Sequence, residues 1–170
     1  MSADERIDLL DDAGTVIGTA WRSQVGEHRN IRSVNGFLRN SVGDLFIPKR
    51  TAHKSHFPSA LDFSVGGVVQ AGEHFDDAFR REAQEELLLD VDALGFQMLA
   101  EFSPHGTGLS SFMRVYEIQT DDTPHLNPDD FSGGEWLSPA ALLLRLKHGQ
   151  AAKGDLRPVV ERLYPRPVSS

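Results

Sequence analysis

Apolar positions along the chain switch between two periods, and the switches mark its elements. Residues 6–10 (RIDLL) and 15–21 (TVIGTAW) are short strand-like runs separated by Asp12-Ala13-Gly14, which predicts a hairpin over about 6–22. After the polar stretch SQVGEHRN, IRSVNGFLRN predicts a strand over about 31–39, and SVGD turns the chain into a short strand, LFIPKR. Pro48 within it has no amide hydrogen and is expected at an edge or a bulge. The polar loop TAHKSHFPSA leads into an extended apolar segment, LDFSVGGVV. The period then lengthens. Phe75, Ala78, Phe79, Ala83 and Leu87 share one helical face, which predicts a helix from Glu73 to about Leu87. Strands are expected near 95–103 and 111–119, followed by a loop, TDDTPHLNPDDFSGG. Ser138 should cap a helix reaching Leu146, with Pro139 in its first turn. DLRPVVERLY predicts a last helix before a tail over about 165–170. Strands before, between and after helices imply an α/β domain with a mixed sheet. At 170 residues, one domain over 1–170 is expected.

Composition narrows the chemistry. The chain is 39% hydrophobic and 25% charged, with a net charge of −8 and no long run of Lys and Arg. That balance argues against a nucleic-acid polymer as partner and leaves a small anion possible only where a local cation receives it. There is no cysteine, which removes disulfides, thiolate metal sites and thiol nucleophiles. It fits a cytoplasmic setting. No apolar run is long enough for a signal peptide or a membrane span, so no membrane association is expected. The pattern fixes no oligomeric state.

The predicted helix concentrates negative charge. Glu82, Glu85 and Glu86 fall at i, i+3 and i+4, where like charges stand about 5–6 Å apart and repel by a few tenths of a kcal/mol per pair. A solvated helix face is the ordinary explanation for such a cluster. Here Arg80 and Arg81 match the acids, and Gly66, Gly67 and Gly72 precede the helix, where backbone can approach a ligand closely. Converging carboxylates are hard oxygen ligands suited to Mg²⁺ or Mn²⁺.

Residues 67–89 also resemble the Nudix hydrolase signature, G-x5-E-x7-R-E-U-x-E-E-x-G-U, with U a bulky aliphatic residue. Gly67, Glu73, Arg81, Glu82, Glu85 and Glu86 match at the required spacings, and Leu89 fills the last aliphatic position. Two positions depart: Ala83 is smaller than the family residue, and Leu88 replaces the glycine just past the helix. A left-handed turn at Leu88 would cost roughly 1–2 kcal/mol, so the helix is expected to run on or to end differently. RIDLLDDAGTVIGTAWRS, FLRNSVGDLFIPKR and GEWLSP extend the resemblance to the branch that includes isopentenyl diphosphate isomerase and its hydrolase-like relatives.

The resemblance implies an α/β/α sandwich around a mixed β-sheet, with the box forming loop, helix and loop. It implies that Glu82, Glu85 and Glu86, with the Gly67 carbonyl, hold Mg²⁺ or Mn²⁺, and that Glu73 and Arg81 pair to fix the loop. The implied substrate is a small-molecule diphosphate, as in a nucleotide, opened by water attack on phosphorus. Glu82, Asp129, Asp130 and Glu135 are candidates for the base. Lys49, Arg50 and Lys54 are candidate phosphate contacts. His53 and His56 are expected at the surface, and Trp21, Phe46 and Phe102 in packing. Isomerase chemistry is disfavoured, because the residues where that branch has its cysteine and histidines are Gly66, Ile31 and Val68. A binding module that has lost catalysis is a further alternative, disfavoured because every box glutamate is present.

Overall fold

A computed structural model describes residues 3–26 and 30–165. The last five residues of the expected tail, 166–170, lie outside the described residues. Strand β1 (Arg6–Leu10) pairs antiparallel with β2 (Val16–Trp21), giving the predicted hairpin, with a short helix α1 (Arg22–Val25) after it. The main sheet comprises β3 (Arg32–Arg39), β4 (Leu45–Arg50), β5 (Val65–Val68), β6 (Gln97–Phe102), β7 (Phe112–Gln119) and β8 (Phe131–Leu137). Its order is β6-β7-β3-β4-β8, with β5 also on β3. The β3–β7 pair is parallel and the others antiparallel, so the sheet is mixed, as expected.

Helices cover both faces. On one side α2 (Phe75–Leu87) and α3 (Val91–Leu94) pack with Val34, Leu38, Tyr116 and Ile118. On the other, α4 (Pro139–Lys147) and α5 (Leu156–Leu163) pack with Phe37, Ile47, Met113 and Val115. Alternation along β3 sends Val34 and Leu38 one way and Phe37 the other, as the strand pleat requires. The result is the α/β/α sandwich. Ser138 caps α4 through Ala141 N (3.1 Å), with Pro139 at the first position, as the sequence predicts.

The sheet is split beside β3, and the split positions the site. One edge of β3 is occupied along its whole length by β7. The other edge is shared: β5 pairs with Ser33–Gly36, while β4 meets β3 only at Arg39 and Leu45. Ser64 plugs the narrow end, accepting from Leu38 N (2.9 Å) and donating to Phe46 O (2.6 Å). Residues 60–62 line the β4 side, through Arg50 N to Ala60 O (2.8 Å) and Asp62 N to Pro48 O (3.0 Å). Pro48 lies beside the split, next to the register shift at Lys49 and Arg50, which is the bulge its missing amide predicts.

Three expectations change. The strand β8 lies partly within the segment read as a loop; its Gly133-Gly134 pair weakens the strand signal, yet β8 pairs with β4 from Leu45 to Arg50. Helix α2 begins at Phe75, because Glu73 is engaged in the preceding turn, where its N–H donates to Gln70 O (3.0 Å). At its other end α2 stops at Leu87, and Leu88 does take the left-handed conformation (φ 53°, ψ 35°). Leu88 N donates to Gln84 O (3.1 Å), the bond of an αL closure built without glycine, and Leu89 N donates to Ala83 O (3.2 Å).

Candidate active site

The box folds as a loop returning on its own helix. Arg81 clamps it: Nε and an Nη atom donate to the two oxygens of Glu73 (3.0 and 2.9 Å), and the same Nη donates to Val68 O (3.1 Å). Burial would raise the Glu73 carboxyl, but the Arg81 bonds and the Gln70 N–H (3.0 Å) outweigh it and hold Glu73 below the usual range. The guanidinium is correspondingly held charged, first by Glu73. The expected Glu73–Arg81 pair is therefore present, and it is bidentate.

Glu82 and Glu86 lie one turn apart on the buried face of α2, each 8% exposed. Desolvation pushes Glu82 up to about 7, against the pull of Arg81, whose other Nη donates to Glu82 Oε1 (2.7 Å). Burial likewise raises Glu86, with the charges of Glu82 and Asp62 adding to the effect. Glu86 Oε1 accepts the Gly66 N–H (2.8 Å), a donor left unused at the open edge of β5. Gly67 faces Glu82 so closely that a Cβ there would stand 2.1 Å from Oε1, so a larger residue would displace the carboxylate. Glu85 is more open, its side chain 58% exposed, with Arg81 3.7 Å away.

This end of α2 opposes ordinary helix electrostatics. Glu85 and Glu86 stand in the last turn, where the helix dipole disfavours acids, and that turn holds no basic residue. Asn127 closes the end instead, giving its N–H to Glu86 O (2.9 Å) and its Nδ2 to Glu85 O (3.0 Å). Among the described residues, no three acid or histidine groups are gathered closely enough to form a ready metal cage. An Arg81 Nη occupies the space instead, bonded to Glu82 and 3.7 Å from both Glu85 and Glu5. The donor set still fits a hard divalent cation: two desolvated carboxylates, a third reachable from solvent, and a glycine that admits the closest approach of backbone.

The other predicted residues divide. Arg50 is engaged by Asp62 (2.7 Å) and His56 O (3.1 Å), and Lys54 by Asp130 (2.6 Å), so both have internal partners where phosphate contacts were expected. Lys49 is exposed on β4. Glu135 sits on β8 and pairs with Arg145 of α4. Asp129 is exposed in the loop that Asn127 anchors to α2. His53 and His56 are at the surface, Phe46 is buried, Phe102 is half-buried, and Trp21 is 42% exposed with Arg6 over its ring. Sequence reasoning missed Asp62, 2% exposed; an acid inside the apolar run LDFSV was the available signal, since a buried charge needs partners.

Comparison with known proteins agrees with this geometry. The NUDIX domain family matches residues 29–159. A Nudix hydrolase of Deinococcus radiodurans is 54% identical over 163 residues, covering 95% of each chain. An uncharacterized Nudix hydrolase of Nostoc sp. is 42% identical over 162 residues, covering 94% of this chain and 96% of the relative. An isopentenyl-diphosphate Delta-isomerase of Paenarthrobacter aurescens is 32% identical over 159 residues, covering 89% and 86%. The crystal structure of a Deinococcus radiodurans protein, 54% identical, superposes with a TM-score of 0.92, covering 94% of this chain and 99% of that one. With its box built as described and matched over this span, the chain belongs to the Nudix hydrolase family.

Proposed function

We propose that this protein is a divalent-metal-dependent hydrolase of a nucleoside diphosphate-containing small molecule, with a nucleoside di- or triphosphate as the favoured form. One observation carries the reading: Glu82 and Glu86 are two buried carboxylates, one turn apart, against a glycine strand. Buried like charges without full compensation destabilise a fold, and a cation is what makes them useful. Glu82, Glu85, Glu86 and the Gly67 carbonyl would hold Mg²⁺ or Mn²⁺. Such an ion supplies charge neutralisation at the phosphates and an acidified water. Arg81 and Glu73 hold the loop carrying Gly67 against the helix carrying the acids.

Water attack on phosphorus also needs a proton acceptor. Glu82, on the buried face of α2, is the first candidate. Asp129 is the second: Asp130 and Glu135 are engaged by Lys54 and Arg145, while the Asp129 carboxylate has no ion pair among the described residues. A cytoplasmic location and a single domain over 1–170 belong to the same reading.

Isomerase activity is the second reading, raised by the relative of that name. The chain contradicts its chemistry at Gly66, Ile31 and Val68, and it has no cysteine to act as a thiol.

The test is a phosphate- and pyrophosphate-release screen over nucleotides, nucleotide sugars and dinucleoside polyphosphates, with isopentenyl diphosphate alongside. Turnover should require Mg²⁺ or Mn²⁺, stop with chelator, and yield no dimethylallyl isomer. Undiminished turnover in excess EDTA, dependence on zinc, or formation of the isomer would each overturn the reading.

A further inference from the structure

The split beside β3 has a second wall, and it is basic. Lys153 Nζ lies 3.7 Å from the point where a Gly66 Cβ would stand, and 4.0 Å from Asp62 Oδ1. Its charge pulls the Glu86 carboxyl down, against the larger effect of burial. The lysine is held from behind by backbone. Lys153 N donates to Leu61 O (2.9 Å), Leu61 N donates to Ala151 O (2.9 Å), and Leu156 N closes on Lys153 O (3.0 Å). A lysine serving solubility alone needs no such seat.

Two other cations near the split are consumed. Arg50 is bonded to Asp62 Oδ2 (2.7 Å), and Asp62 Oδ1 already accepts Phe63 N (2.7 Å). Asp62 is therefore satisfied without Lys153. Arg81 is spent on Glu73, Glu82 and Val68 O. The Lys153 side chain, 28% exposed, makes no protein hydrogen bond among the described residues, and three N–H donors remain.

A second group points the same way. Asn35 is 3% exposed, and its Oδ1 is buried without a hydrogen-bond partner, 2.5 Å from the same Gly66 Cβ position. A buried polar atom with no partner is destabilising unless something completes it. Rotation of the carboxamide by half a turn exchanges its ends and presents Nδ2, a donor, beside the ammonium. Two donors would then face one space beside Gly66, whose N–H Glu86 accepts. The space fits an anionic oxygen.

We propose that Lys153, with Asn35 beside it, is a substrate-binding residue that holds a phosphate oxygen of the diphosphate across the split from Glu86. This rests on the hydrolase reading for the identity of the substrate, but the anion site can be tested separately. It also accounts for how a chain of net charge −8 accepts an anion, since Arg50 and Lys54 have internal partners.

The experiment compares the parent with Lys153→Met and Lys153→Arg. Binding of imidodiphosphate, whose P–N–P bridge resists hydrolysis, is measured by calorimetry with Mg²⁺, and nucleotide turnover and melting are followed alongside. Losing a charge-assisted hydrogen bond should weaken Kd about 10-fold or more in Lys153→Met. KM should rise in parallel, and kcat should change less. Lys153→Arg should keep Kd within about threefold of the parent, because charge and donors remain. Equal imidodiphosphate affinity in Lys153→Met and the parent overturns the proposal, as does no binding by the parent. A shift confined to melting and Mg²⁺ activation also overturns it, since Lys153 is then only a counter-charge to Glu86. Lys153-dependent binding without turnover of any nucleotide would keep the anion site and overturn the hydrolase reading.

Discussion

Glu82 is both buried and held by a guanidinium, and those two influences oppose each other. Burial wins, placing its pKa near 7 in the metal-free protein against an ordinary value of 4.5. Between those values the folded chain retains a proton that the unfolded chain has released, so this group's effect on stability worsens as pH rises through the window. Glu86 acts in the same direction, whereas Glu73, held low by Arg81, gives stability that is lost as pH falls. Glu82→Gln removes the first contribution and keeps an acceptor for Arg81. In EDTA, its stability relative to the parent should improve by roughly 1–3 kcal/mol between about pH 5 and about pH 7.5. Urea unfolding at the two pH values measures this. A difference independent of pH would show that Glu82 is not desolvated as described. Of the site's residues, Glu82, Glu85 and Glu86 were legible from their helical spacing, and Glu73 and Arg81 through the resemblance to the family signature. Asp62, Asn35 and Lys153 were not, because they are isolated polar residues from separate segments, brought together only by the split in the sheet.

Helix α2 ends where a helix former has been made to turn. Leu88 takes a left-handed conformation that glycine adopts freely, and its side chain is 56% exposed, so little packing rewards the choice. Leu88→Gly should stabilise the protein by about 1 kcal/mol, the conformational strain removed less the extra freedom of an unfolded glycine. Chemical denaturation checks it; a loss of stability would mean that Leu88 contributes contacts the strain argument ignores. The helix itself was legible because five apolar residues repeat at its period. Its end was not, since the sequence argued against a left-handed leucine, and the closing bonds from Leu88, Leu89 and Asn127 depend on the assembled fold. The strand β8 was obscured in the same way. Its glycines look like loop, yet a Cβ at Gly134 would stand 2.5 Å from Phe46, so the glycine lets β8 lie flat on β4.

Across the whole molecule, an acidic chain concentrates unfavourable charge in one place and surrounds it with groups that only partly offset it. Arg81 serves Glu82, Gly66 N serves Glu86, and Asn127 closes the helix end. The central claim is that a divalent cation completes this arrangement, and Glu86→Gln tests it most directly. The variant keeps the shape and an acceptor for Gly66 N but loses one charge and one strong ligand. In EDTA it should melt at or above the parent, by at least the few tenths of a kcal/mol of an exposed like-charge pair, and by more because Glu86 is buried. In Mg²⁺ the order should reverse, since an ion at a hundred times its Kd stabilises the parent by about 2.7 kcal/mol and the variant by less. Thermal melts of both proteins in the two buffers provide the measurement. A reversal of order on adding Mg²⁺ is the predicted result; a Glu86→Gln protein that keeps the same melting difference from the parent in EDTA and in Mg²⁺ would contradict the metal site.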